Sequence, residues 1–150
     1  MAPNSRCYVE ISRSCIASNY HVVRDAVAPE AQVIGVVKAN AYGHGMLEVA
    51  RILCAEGIPW LAVSAVDEGV ALRDAGISGC RILVMAGVMS WERSAVRQYR
   101  LTPVVHSLDE LRAFAEGGPL SVHLKIDTGM DRLGTLAGSS AKPGAQGSPF

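Results

Sequence analysis

Several features that this chain of 150 residues does without narrow what it can be. No apolar run approaches the ~18 residues that a membrane-spanning helix needs. The opening segment MAPNSRCYVEIS has no apolar core of the kind a secretory leader carries, so nothing in it points to export. Neither sign of charge is in excess. The 14 Lys and Arg residues balance 14 Asp and Glu, which removes the electrostatic ground for a nucleic-acid or acidic-surface partner. GxGxxG and P-loop patterns are missing, and with them the usual signs of a nucleotide-binding doubly wound sheet. Cys7, Cys15, Cys54 and Cys80 form no CxxC pair and have no histidine at zinc-site spacing. No metal centre is expected, and the thiols read as reduced structural residues in a cytoplasm.

Short apolar runs are present instead, at nearly even intervals: VIGVV (33–37), WLAVSAV (60–66), RILVMA (81–86), TPVVH (102–106) and SVHLKID (121–127). Their Val, Ile and Leu content and flanking Gly or Pro predict buried strands near 33–38, 60–65, 82–86, 102–106 and 121–127. Helical patterns lie between them. Met46, Val49, Ala50 and Leu53 make one apolar stripe, DEGVALRDAG stops at Gly76, and Ser107 with Glu110 has capping-box spacing. Before the first strand, Ile16, Tyr20, Val23 and Val27 fall on one side of another predicted helix. Strands alternating with helices imply a parallel sheet, either doubly wound or part of a (β/α)8 barrel.

Two places carry ionisable groups where strands should be buried. Lys38 shares a strand face with Ile34 and Val36 and closes it at the C-terminal end, where parallel α/β folds gather their sites. On the fifth strand His123, Lys125 and Asp127 share one face, directed into the lumen if the sheet is a barrel. Unpaired charges are costly there, so two lysines facing one interior suggest a site for an anion or a carbonyl compound. The plainer readings are a solvated loop lysine and a wet edge strand.

The wording of these segments is specific. VVKANAYGHG (36–45) resembles the cofactor-lysine motif of alanine racemases, and HLKIDTGMDRLG (123–134) resembles a second motif of that family. The spacing between them also agrees, over about residues 5–135. Other pyridoxal-phosphate enzymes on the same barrel lack the AYGHG continuation. The resemblance implies a fold type III pyridoxal 5′-phosphate enzyme that interconverts L- and D-alanine, supplying D-alanine for peptidoglycan, as a cytoplasmic homodimer. It implies that residues 1–135 form about five βα units of a (β/α)8 barrel. By the same resemblance Lys38 binds the cofactor aldehyde and acts as a catalytic base, and Tyr42 contacts the cofactor phosphate. Arg132 holds the substrate carboxylate, and Lys125, carbamylated in many members, orients that arginine. A lysine amine withdrawn from water is a suitable nucleophile near neutral pH. His44 is expected to order its turn rather than to act chemically. Asp131 stands where the family pattern has a small residue, often glycine, which bears on how Arg132 is held.

Residues 136–150, LAGSSAKPGAQGSPF, break the pattern: eleven of fifteen are Gly, Ala, Ser or Pro. Composition predicts a disordered tail. The chain reads as the N-terminal part of a longer protein, without the second domain whose tyrosine supplies the opposite base. Alone, it is expected to be poorly soluble and to lack appreciable racemase activity, which leaves a non-catalytic relic or cofactor-binding module as the alternative to an enzyme.

Overall fold

The β-branched runs do become strands, and they pair in sequence order. The computed structural model describes residues 7–136, of which β1 (Ile34–Val36), β2 (Trp60–Val63), β3 (Arg81–Val84), β4 (Thr102–Val105) and β5 (His123–Leu124) form one sheet ordered β1-β2-β3-β4-β5. Every neighbouring pair is parallel. The crossovers are α3 (Met46–Ala55), α4 (Val66–Asp74), α5 (Arg93–Gln98) after a single 3₁₀ turn at Ser90–Glu92, and α6 (Leu108–Ala115). α1 (Arg13–Ala26) precedes the first strand and lies against α3. All carboxyl ends of the strands share one edge, as parallel pairing throughout the sheet requires.

Register assigns the two faces. Ile34 pairs with Trp60, Trp60 with Arg81, Leu83 with Thr102 and Val104 with His123. These residues, and those two along each strand, share one face. Trp60, Ala62, Leu83 and Val104 form a small buried cluster there, with Met85 packed against it. The alternate residues, including Leu61, Val63, Ile82, Val84 and Val105, join the larger core with Leu53, Leu72, Val96 and Phe114 from the helices. Gly35 marks the tightest point of that layer. A Cβ there would lie 2.8 Å from Leu53 Cδ1 and 2.9 Å from Ile58 Cδ1, so β1 sits close under α3 only because the side chain is missing.

Helix ends follow local chemistry. Ser12 caps α1 by accepting from Cys15 N, and Ser107 caps α6 by accepting from Glu110 N at 3.1 Å. The returning half of that capping box is displaced by one residue: Glu110 accepts from His106 N at 2.6 Å, tying the helix to the end of β4. Gly76, at φ 85°, takes the left-handed position that stops α4.

Four expectations need correction. β1 stops at Val36, and although Val37 N still donates to Ala62 O at 2.8 Å, Lys38 lies beyond the strand because the backbone turns left-handed at Ala39. The run 121–127 is not one strand. Lys125 N donates to Val105 O, whereas its carbonyl accepts from Thr135 N, so at Lys125 the chain changes partner from β4 to a parallel strand β7 (Thr135–Leu136), which pairs with β6 (Ile126–Asp127). On α1 only Ile16 and Tyr20 reach the core, while Val23 and Val27 are exposed because α3, against which α1 packs, is the shorter helix. Leu136, the first residue of the expected tail, is paired in β7; the rest of that segment, 137–150, lies outside the described residues.

Candidate active site

Lys38 opens α2 (Lys38–Tyr42), a single helical turn of the wrong hand. Ala39, Asn40, Ala41 and Tyr42 all have φ between 50° and 54°. Each non-glycine residue held so costs on the order of 1–2 kcal/mol, and such strain persists only where the surroundings over-determine it. Here they do. Ala41 N donates to Val37 O at 2.9 Å, and the Asn40 carbonyl accepts from both Gly43 N (3.1 Å) and Gly45 N (3.0 Å). The Asn40 side-chain oxygen accepts from Met46 N at 2.9 Å and so caps α3. His44 Nδ1 donates to Ala41 O at 2.9 Å. Because a carbonyl only accepts, that nitrogen carries the proton, and the histidine orders its turn as expected. Gly43 and Gly45, at φ 89° and 91°, continue the left-handed path into α3.

A carboxylate from the next unit locks the turn in place. Glu68, in the first turn of α4, accepts from Ala39 N with Oε1 (2.7 Å) and from Ser64 N and Ala65 N with Oε2 (2.7 and 3.3 Å). One side chain thus joins the residue after Lys38 to the carboxyl end of β2. Sequence reading passed over Glu68, although a glutamate at the third helical position after a strand is a known capping signal. Lys38 itself is half-buried, and Tyr42 is 62% exposed on the same edge.

The second motif builds a loop at the far strand. Asp127 Oδ1 accepts from Gly129 N, Met130 N and Asp131 N at 3.0, 3.0 and 3.2 Å, drawing Thr128–Asp131 around one carboxylate. These bonds, Gly129's foremost, hold the Asp127 carboxyl below the usual aspartate range, and the nearby Lys125 charge acts in the same direction. Asp127 therefore does not project beside Lys125 as strand alternation suggested; it shapes the loop that carries Arg132. Asp131 takes φ 52°, the left-handed region that glycine occupies most easily, which explains why a glycine suits this position. Arg132 is exposed and Lys125 half-buried.

The structure therefore places Lys38 and Lys125 at the carboxyl ends of the two outermost strands of the sheet, with Tyr42 and Arg132 in the segments that follow them. At the amino end of the same face Trp60 fills the floor. Its Nε1 donates to Gln32 Oε1 at 2.9 Å, the Arg81 guanidinium lies 5.1 Å above its ring, and His123 meets it edge-on at 5.2 Å. His123 thus belongs to the floor. His106 was also passed over. It continues the inward alternation of Thr102 and Val104, and among the described residues both its ring nitrogens are buried without a hydrogen-bond partner. The parity argument applied to Lys38 would have found it.

A face lined with strand-end lysines, floored by aromatics and flanked by these two motifs matches one family. The alanine racemase N-terminal domain model aligns with residues 11–143. The chain belongs to the alanine racemase N-terminal domain family. It is 41% identical over 139 residues to alanine racemase of Methanococcus maripaludis, covering 89% of this chain and 37% of that protein. It is 40% identical over 136 residues to that of Synechocystis, covering 87% and 36%. Among solved structures, alanine racemase from Oenococcus oeni superimposes with TM-score 0.76 at 37% identity over 85% of this chain and 37% of that one. That from E. faecalis gives 0.77 at 34% over 85% and 36%. The chain spans about a third of the length of these relatives. Its five parallel strands are part of the racemase barrel, and no helix among the described residues is long and apolar enough to cross a membrane.

Proposed function

We propose that these residues form the cofactor-lysine part of an alanine racemase, a cytoplasmic homodimer that interconverts L- and D-alanine, with Lys38 as the attachment point of pyridoxal 5′-phosphate. The observation that carries the reading is the strained turn behind Lys38, held by Glu68 and Asn40 at the carboxyl edge of the barrel. The side chains available there fit the group. A primary amine suits its aldehyde, the Tyr42 phenol can donate to its phosphate, and among the described residues Lys38 is engaged in no ion pair that would tie up its nitrogen. When bound, the cofactor supplies an electron sink that lets an amino-acid α-proton leave.

The work of the chain's own residues follows from their chemistry. The Lys38 amine would hold the cofactor through its aldehyde and, as a free base, would take or return the proton at the alanine Cα. Fixed backbone on both sides of Lys38 restricts where its nitrogen can reach, which is what a stereospecific base requires. Arg132 holds the substrate carboxylate with a planar fork suited to bidentate contact. Lys125, carbamylated, would turn from cation to anion and orient Arg132. Asp127 sets the loop from which Arg132 projects.

The test is α-hydrogen exchange. With cofactor and alanine in deuterated water, the chain should exchange the α-hydrogen of one enantiomer faster than that of the other, and Lys38→Ala should abolish it. Equal exchange in parent and variant would refute the assignment of the base. If neither enantiomer exchanged while cofactor remained attached to Lys38, the chain would be a cofactor-binding module rather than part of a racemase.

A further inference from the structure

Two of the four cysteines that are far apart in sequence meet in the fold. Cys54, next to the end of α3, and Cys80, immediately before β3, bring their sulfurs to 3.3 Å. Both lie at the amino edge of the sheet, opposite the edge that carries Lys38. The sulfurs are each other's side-chain partners, with no carboxylate or histidine to make a metal site; among the described residues no group of three or more metal-ligating side chains occurs. Cys80 is buried and Cys54 half-buried. The Cys80 loop is also held from outside: Arg73 donates to Ile77 O at 2.7 Å and to Cys80 O at 3.1 Å from Nη1, and to Tyr99 O at 3.1 Å from Nε.

We propose that Cys54 and Cys80 are a reversible, peroxide-responsive disulfide pair that clamps α3 to the start of β3. A disulfide needs the sulfurs at about 2.05 Å, so closure asks for about 1.2 Å of approach, within reach of side-chain rotation at the half-buried Cys54. The step balances with hydrogen peroxide as oxidant. The more accessible Cys54 thiolate attacks one peroxide oxygen, an S–O bond forms, the O–O bond breaks, and hydroxide leaves to become water. Cys80 sulfur then attacks Cys54 sulfur, the S–S bond forms, the S–O bond breaks, and the second hydroxide leaves with the Cys80 proton as water. Two thiols are oxidised and one peroxide reduced to two waters. Burial, reinforced by the hydrogen bond with Cys54, pushes the Cys80 thiol up to about 12. That places Cys80 second in the sequence, as the resolving thiol rather than the first to react. The clamp closes a loop that includes β2 and α4, and such a cross-link stabilises by restricting the unfolded chain. It leaves the Lys38 edge untouched and stands independently of the cofactor reading.

The experiment uses the full chain, reduced, exposed briefly to hydrogen peroxide, quenched with an alkylating agent and digested with trypsin. The four cysteines fall on separate peptides, 7–13, 14–24, 52–73 and 74–81. The expected product joins 52–73 to 74–81 with the loss of two hydrogens, and dithiothreitol restores both peptides. The oxidised chain should melt at a higher temperature than the reduced one, and Cys54→Ala should abolish both the link and the shift. Because Cys80→Ala disturbs a buried site, Cys80→Ser serves as the second variant and should leave Cys54 as an unlinked oxidised thiol. Any of three results would overturn the proposal: 52–73 and 74–81 alkylated after oxidation of the other two peptides, Cys54 linked to Cys7 or Cys15, or an oxidised chain that melts lower.

Discussion

Glu68 is the side chain whose replacement tests the architecture of the lysine turn most sharply. Its two oxygens serve opposite sides: Oε1 takes Ala39 N, the first amide of the left-handed turn, and Oε2 takes Ser64 N and Ala65 N at the head of α4. Glu68→Ala leaves three donors to find water. A hydrogen bond to a charged group contributes roughly 1.5–3 kcal/mol when fully buried, and these amides are only partly so, which brings the expected loss to about 2–4 kcal/mol. Glu68→Gln is the more discriminating change. An amide keeps one acceptor oxygen and replaces the other with an NH₂ donor, so it can satisfy Ala39 or the pair Ser64 and Ala65 but not both. Roughly 1–2 kcal/mol should be lost, read as a lower denaturant midpoint with an unchanged slope. The same variant should attach pyridoxal phosphate more weakly than the parent, because the backbone after Lys38 loses its anchor to β2. A Glu68→Gln chain with the parent's midpoint and the parent's cofactor uptake would refute the reasoning, since it would mean that the turn holds its hand without the carboxylate.

Leu72, fully buried between α4 and the sheet, should cost about 2–5 kcal/mol when replaced by Ala, measured by denaturant titration; a loss below about 1 kcal/mol would mean that the helix-facing layer is loosely packed. Asp127 has its folded pKa lowered by the amides of Gly129, Met130 and Asp131. Its contribution is therefore present above the ordinary aspartate pKa and is lost as pH falls through the lowered value. The three amide resonances should shift together in that acid range in the parent and stay still in Asp127→Asn. Asp131→Gly should remove left-handed strain at φ 52° and raise stability by up to about 1 kcal/mol, less what glycine adds to the unfolded chain's entropy; a lower melting temperature would contradict this.

The element types were legible because periodicity and composition agreed. The Val- and Ile-rich runs had no competing helical pattern, and the stripe of Met46, Val49, Ala50 and Leu53 had no strand alternative. The left-handed turn at Ala39–Tyr42 was not legible, because alanine and tyrosine have no local preference for positive φ and one asparagine, which tolerates it singly, does not specify a whole turn. The hand is held by Glu68 from another unit, a tertiary effect, and by the local Asn40 bonds to Gly43, Gly45 and Met46. For the same reason the strand was carried to Lys38, two residues beyond its end at Val36. The break at Lys125 was hidden because the apolar and polar residues of 121–127 alternate without interruption, while the change of partner depends on Thr135, further along the chain. Val23 and Val27 misled because helical spacing says which residues share a side and not how far the neighbouring helix extends. Cys54 and Cys80 meet because the end of α3 and the start of β3 share the amino edge of the sheet, which no spacing rule for cysteines contains.

One measurement bears most directly on the account: the site of covalent attachment of pyridoxal 5′-phosphate, fixed by borohydride reduction and located by peptide mass analysis. The account predicts that the added mass falls on Lys38, that Lys38→Ala loses it, and that Lys125→Ala keeps it. An adduct on Lys125 or on any other lysine, or one that survives Lys38→Ala undiminished, would contradict it.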